Sequence, residues 1–258
     1  MKKSISIQKI FTEYPLYERF AKVKEAGFEY AEFAAWADKD MDRIHDICGE
    51  LGLKIASFSA DKDYSLILEE EREGFLDYLG QSIEQAKKLD VHHLVIHSNA
   101  INEYGKVVAT GYDRSDAAKI SAAIVTLQKA APIAEAAGVT LVLEGVNNIT
   151  MPGMYMTTAT QTGEVVRAAN SPNIKILYDT WHMQQMEGNM MAMLNKYADV
   201  LGYLHIGDVP ERHEPGTGEI NWSRFKQEID RIGYQGFWGF ELDPAVSSDK
   251  CIKIIQAF

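Results

Sequence analysis

Cysteine is scarce in this chain of 258 residues: there are two, Cys48 and Cys251, far apart and in stretches of helical pattern. A disulfide framework is therefore not expected, and a reducing cytoplasm fits such a composition. Long hydrophobic runs are missing as well. None approaches the roughly 20 residues that a membrane span needs, and the lysines in MKKSISIQKIFTEYP are not followed by the apolar stretch of a signal peptide. Positive charge is in deficit, 26 Lys and Arg against 37 Asp and Glu, for a formal net charge of −11. That balance argues against a general nucleic-acid surface. Proline is limited to 7 residues and gathers nowhere into a linker, so residues 1–258 are expected to form one domain. These absences point to small-molecule chemistry, with no nucleic-acid and no membrane partner. They leave room for a homo-oligomer.

What is present is a repeat of pattern. A stretch of helical period ends in Gly or a polar residue, and a short apolar run follows. It occurs at EAGFEYAEF (25–33), ELGLKIASF (50–58), KLDVHHLVIH (88–97), AAGVTLVLEG (136–145), SPNIKILYD (171–179), YADVLGYLHI (197–206) and RIGYQGFWGFE (231–241). The Gly or polar residue suits the left-handed cap after a helix. The run after it has the continuous apolar character of a buried parallel strand. SISIQKI near the start adds an eighth strand, and amphipathic stretches such as YPLYERFAKVKEAG and NWSRFKQEIDRIG lie between. Eight strands over this length give roughly 32 residues per βα unit, the spacing of a (β/α)8 barrel of about 250 residues. The rival arrangement, a doubly wound open sheet, follows its first strand with a glycine-rich phosphate loop. SISIQKIFTEYP has no glycine. The expected fold is an α/β, single-domain (β/α)8 TIM barrel.

In such a barrel the C-terminal ends of the strands converge on one face, where active sites are built. Strand five ends at Glu144, strand six at Asp179, strand seven at His205 and strand eight at Glu241. Each alone is ordinary: an acid at a strand end often caps a helix, and a histidine beside an apolar run is often held in a core. Together they are harder to place without a cation, because three carboxylates buried side by side repel unless something neutralises them. Carboxylates with one imidazole suit Mn²⁺ or Mg²⁺, with Zn²⁺ as an alternative.

The stretches LVLEGVNN, LYDTWHMQQMEGN, GYLHIGDVPERHEPGTGEINW and GFWGFE resemble the hydroxypyruvate isomerase group of the xylose-isomerase-like barrels, and more distantly the tagatose 3-epimerase-type enzymes. The similarity spans most of the chain and is densest from Val139 to Glu241. It implies that Glu144, Asp179, His205 and Glu241 hold a divalent ion and that Glu144 and Glu241 also act as the acid/base pair. The implied reaction is an aldose–ketose type isomerisation of a small α-hydroxy-carbonyl compound, hydroxypyruvate or a short ketose or keto acid, through an enediolate. Hydroxypyruvate isomerases often carry glutamine where this chain has His205, a departure toward the alternative, a ketose 3-epimerase.

Other residues follow from position. His182, three residues past Asp179, is expected to bond the substrate oxygen being polarised. Arg212 has two readings, a fork onto substrate or a surface ion pair with Glu211 or Glu214. His97 ends strand four and either lines the pocket or is structural. Phe11, Trp36 and Trp181 follow strands one, two and six and are expected to wall the pocket. Met151, Met154 and Met156 suggest an adaptable apolar flap, and EPGTGEIN a rigid loop shaping the rim, with the role of His213 open. His45, His92 and His93 are expected to be structural. Two lesser alternatives remain. An endonuclease IV-like nuclease has support in Asp179 with His182 and Glu211 with His213, but FSADKD supplies no histidine after strand three and a basic footprint is lacking. A non-catalytic sugar-binding barrel would not need both glutamates together with Asp179 and His205.

Overall fold

The structure, a computed structural model, describes residues 1–102 and 105–258. Its strands are β1 Lys2–Ser6, β2 Tyr30–Ala35, β3 Lys54–Ser59, β4 His93–His97, β5 Thr140–Glu144, β6 Ile174–Asp179, β7 Leu201–Ile206 and β8 Phe237–Phe240. Each pairs in parallel with the next, and β8 pairs with β1, so the sheet closes into a barrel. Around it run α1 Glu18–Glu25, α2 Met41–Leu51, α3 Arg72–Leu89, α4 Asp116–Ala137, α5 Ala159–Ala169, α6 Thr180–Met186, α7 Met190–Lys196, α8 Trp222–Ile232 and α9 Ser248–Ala257. The expected (β/α)8 barrel is the fold. No helix among the described residues is long and apolar enough to cross a membrane. Cys48 and Cys251 are buried free thiols.

Local chemistry sets where helices start and stop. Asp40, Ser115, Thr158, Asn221 and Ser247 precede α2, α4, α5, α8 and α9, and each side chain accepts the N–H three residues on. These N–H groups have no partner inside the helix, which is why a short polar side chain belongs there. α2, α3, α4 and α8 exit through left-handed residues, Gly52, Asp90, Gly138 and Gly233, at the positions the sequence pattern marks, and α5 exits through left-handed Asn170, just before its marked stretch.

Alternation along the strands sorts what faces the helices from what fills the barrel. Leu94, Ile96, Leu141, Leu143, Ile176, Leu204 and Phe240 join the large core under the helices. The barrel interior holds a second cluster of Val95, Val142, Leu177, Tyr203 and Phe237, with Tyr30 packed against it. His93 joins this floor, its ring 5.5 Å from Phe237 and 5.6 Å from Tyr203. Burial pulls its pKa down to about 4, as a histidine kept neutral in a core requires. Two residues beyond Val142, Leu177 and Tyr203 come Glu144, Asp179 and His205. An apolar plug therefore closes the barrel directly beneath the polar ends of its strands.

Candidate metal centre and active site

Glu144, Asp179, His205 and Glu241 meet above this plug, and one ligand atom from each lies within 4.8 Å of all the others. That spread suits a single six-coordinate ion, whose opposite ligands are about 4.2 Å apart at metal–oxygen distances near 2.1 Å. Register places them: His97 of β4 pairs with Glu144, and Asp179 pairs with His205. Glu241 lies one residue past β8.

Each ligand is oriented by its other atoms. Asp179 Oδ1 accepts the N–H groups of Trp181 (2.8 Å) and His182 (3.0 Å), capping α6, which leaves Oδ2 facing the cluster. Glu144 Oε2 lies 3.2 Å from His97 Nε2. Its Oε1, like His205 Nδ1, is buried without a hydrogen-bond partner among the described residues. Buried polar atoms are almost always partnered. Two orphans of the right chemistry, facing two further carboxylates, fit a divalent cation.

Charge around the cluster is dense. Arg212 is buried, and its Nη2 lies 2.6 Å from both Asp179 Oδ2 and Glu241 Oε2. Although burial opposes ionisation, Arg212 and His205 hold the Glu241 carboxyl down at about 2. Burial likewise opposes ionisation of Glu144, but the hydrogen bond from His97 and the charges of His205 and His97 hold it well below the usual carboxylate range. His97 bonds Asp61 through Nδ1 at 3.1 Å. Burial would lower its pKa, yet the two flanking carboxylates push it up to about 10. Its ring nitrogens are thus taken up by Asp61 and Glu144, although it still borders the cavity.

His182, by contrast, is neutral. The backbone N–H of Asn147 (3.1 Å) and its side-chain Nδ2 (2.6 Å) both point at His182 Nδ1. Asn147 cannot turn its amide over, because its Oδ1 accepts from Ile149 N, Thr150 N and Thr150 Oγ1. Nδ1 is therefore an acceptor and the ring proton is on Nε2, 3.9 Å from Glu144 Oε1 and Asp179 Oδ2. Burial lowers the pKa. The result is a fixed donor aimed into the site.

A cavity of about 690 Å³ opens over the cluster, bordered by His182, Trp181, Arg212, His97 and Met151 among others. Trp181 donates from Nε1 to Pro210 O at 2.7 Å, and the Arg212 guanidinium stacks on its ring at 4.8 Å. Met154 and Met156 are buried, and Ser98 Oγ lies 3.3 Å from Met154 Sδ, so of the expected flap Met151 alone borders the cavity. Phe11 and Trp36, expected as pocket walls, are not. Phe11 takes a left-handed φ of 63° that turns it into the core, where its N–H donates to Ser248 Oγ. Trp36 stacks on Tyr78 and donates to Ser82 Oγ.

Three residues of the site escaped the sequence reading: Glu32, Asp61 and Asn147. Glu32 leaves a signal, one acid interrupting the apolar alternation of YAEFAA. It is 3% exposed inside the barrel, and Tyr203 Oη donates to it at 2.6 Å. Burial raises its pKa, against the pull of His205.

Comparison with known proteins matches residues 20–253 to the xylose isomerase-like TIM barrel family. The hydroxypyruvate isomerase of Escherichia coli is 27% identical, the alignment covering 99% of this chain and 98% of that one. A 2-oxo-tetronate isomerase of Pectobacterium atrosepticum is also 27% identical, over 94% of this chain and 92% of its own. A Brucella melitensis structure described as an AP endonuclease of family 2 superposes with a TM-score of 0.88, covering 100% of this chain and 98% of its own. At 24% identity it attests the fold alone. With most of its length matched and its strand-end acids gathered as the fold requires, the chain belongs to the xylose isomerase-like TIM barrels, as a relative of the hydroxypyruvate and 2-oxo-tetronate isomerases.

Proposed function

We propose that this chain is a metal-dependent isomerase of a small α-hydroxy-carbonyl acid or short ketose. The carrying observation is the pair of orphaned atoms, Glu144 Oε1 and His205 Nδ1, buried against Asp179 and Glu241. A divalent ion in this four-residue set, Mn²⁺ or Mg²⁺ by its donors, supplies Lewis-acid polarisation of a bound carbonyl. The chain's own residues do the rest. Glu144 and Glu241, both held ionised, flank the position of the acidified C–H. One takes its proton to leave an enediolate and returns it to the neighbouring carbon. His182, a fixed Nε2–H donor, bonds the oxygen whose charge grows in that step. Arg212 offers its remaining N–H groups to a carboxylate or hydroxyl. The two relatives are named for hydroxypyruvate and 2-oxo-tetronate, both short 2-oxo acids with a hydroxyl, and a carboxylate suits the arginine.

His205 favours a second reading, epimerisation at C3 of a ketose, in which the opposite glutamate returns the proton to the same carbon. Incubation with hydroxypyruvate and with ketoses in D₂O separates them. The isomerase reading expects EDTA-sensitive conversion, restored by Mn²⁺ or Mg²⁺, with deuterium on the adjacent carbon. An epimer labelled at its original carbon selects the second reading. Nicking of abasic DNA without either conversion would overturn both.

A further inference from the structure

Glu32 is a buried acid of the barrel interior to which the proposed chemistry gives no role. It belongs to β2, across the barrel from β7, and it is buried below the ligand cluster. Oε2 accepts from Tyr203 Oη at 2.6 Å, whereas Oε1 has no hydrogen-bond partner among the described residues. His205 Nε2 lies 3.4 Å from that oxygen. His205 turns its other nitrogen, Nδ1, toward Glu241 Oε2 at 3.1 Å, Glu144 Oε1 at 3.6 Å and Asp179 Oδ2 at 3.8 Å. The ring thus stands between two sets of carboxylates, one that can share a cation and one that cannot leave its place.

The space for Glu32 is built in. Gly239 of β8 pairs with His205, and a Cβ on Gly239 would lie 2.5 Å from both carboxylate oxygens of Glu32. Glycine at that point is what admits the carboxylate beneath His205. A buried carboxylate is costly to place unless its oxygens are used, and Tyr203 uses only one of them.

We propose that Glu32 is the positioning residue for His205, accepting its Nε2–H and so presenting Nδ1 as the ligating atom. The inference rests on the metal-site reading. An imidazole that gives one nitrogen to a cation carries its proton on the other, and a carboxylate there fixes both tautomer and ring plane. Tyr203 locks the carboxylate in turn, and its ring meets His205 edge-on at 5.6 Å, limiting rotation.

The test measures Mn²⁺ affinity from the free-ion EPR signal, independently of turnover, in the wild type, E32Q, E32M and H205Q. Such outer partners change metal affinity by about 10- to 100-fold. E32M, similar in volume but without an acceptor, is expected to lose about that much. E32Q, which keeps an acceptor oxygen, should recover most of it, a rescue that mere filling of space would not give. In an H205Q background E32M should add little, because the effect passes through the imidazole. Y203F gives a milder loss and serves if E32M does not fold. Wild-type affinity in folded E32M or Y203F, or equal losses in E32M and E32Q, overturns the proposal while leaving the metal site standing. A wild type that binds no Mn²⁺ overturns both.

Discussion

Arg212 shows how the structure bears on a side chain that the sequence leaves with two readings. Among Glu211, His213 and Glu214 it has the look of a surface ion-pair member, and such a residue contributes little to folding. In the structure it adopts a left-handed φ of 60° and is 8% exposed. Its Nε donates to Glu241 O at 2.8 Å while Nη2 joins Asp179 and Glu241. Glu214 turns the other way, buried, to accept Ala245 N at 3.0 Å. R212A should therefore lower kcat/KM by about tenfold or more, the scale of one lost charged hydrogen bond. It should also destabilise the EDTA-treated protein by about 3 kcal/mol, since breaking a buried pair strands its partners, and Mn²⁺ should restore much of that loss. Steady-state kinetics with denaturant unfolding, each with and without Mn²⁺, check both. Unchanged kinetics with unchanged stability would return Arg212 to the surface-pair reading.

Between β7 and α8, the connection from Gly207 to Asn221 behaves as a built element organised by Asp208. This carboxylate is 1% exposed. It accepts from Val209 N (2.9 Å), Gly216 N (2.8 Å), Ile220 N (3.2 Å) and Trp222 Nε1 (2.8 Å). Its backbone adds two more ties, Asp208 N to His213 O and Arg212 N to Asp208 O. His213, whose role the sequence left open, has Nδ1 2.6 Å from Asp243 O and so ties this loop to the one after β8. D208A strands several buried donors and should cost about 3 kcal/mol or more. It should also cut kcat/KM, through misplacement of Arg212, and open residues 208–220 to proteolysis. Limited proteolysis of the folded variant is the check; a loop as resistant as the wild type's would show that Asp208 does not organise it. Elements of this kind divide what the sequence discloses from what it hides. Strands and helix exits were legible because apolar period and cap residues act locally, as Gly52 and Gly138 illustrate. Glu144, Asp179, His205 and Glu241 were legible because closure puts all strand ends on one face. Glu32 was not: its partner Tyr203 is 171 residues away, and only barrel closure brings them together. Asn147 shows no partner in sequence, and for Phe11 and Trp36 nothing local announced that the chain turns each ring away from the mouth.

At the scale of the whole molecule, the barrel concentrates acids that a chain of net charge −11 would otherwise keep apart. Asp61, Glu32, Glu144, Asp179 and Glu241 come from five different strands or their ends, and Arg212, His97 and His205 offset them only in part. The plug of Val142, Leu177, Tyr203 and Phe237 fixes the floor, the loops fix the rim, and the charge between is a consequence of topology. The central claim is that this charge holds one divalent ion on which turnover depends. The most direct measurement titrates Mn²⁺ into EDTA-treated protein while following isomerisation of hydroxypyruvate, in the wild type and in D179N. Turnover should rise in proportion to bound Mn²⁺, saturate at one ion per chain, and be absent in D179N together with tight binding. Full turnover by protein freed of metal, or by D179N without bound Mn²⁺, would contradict the account.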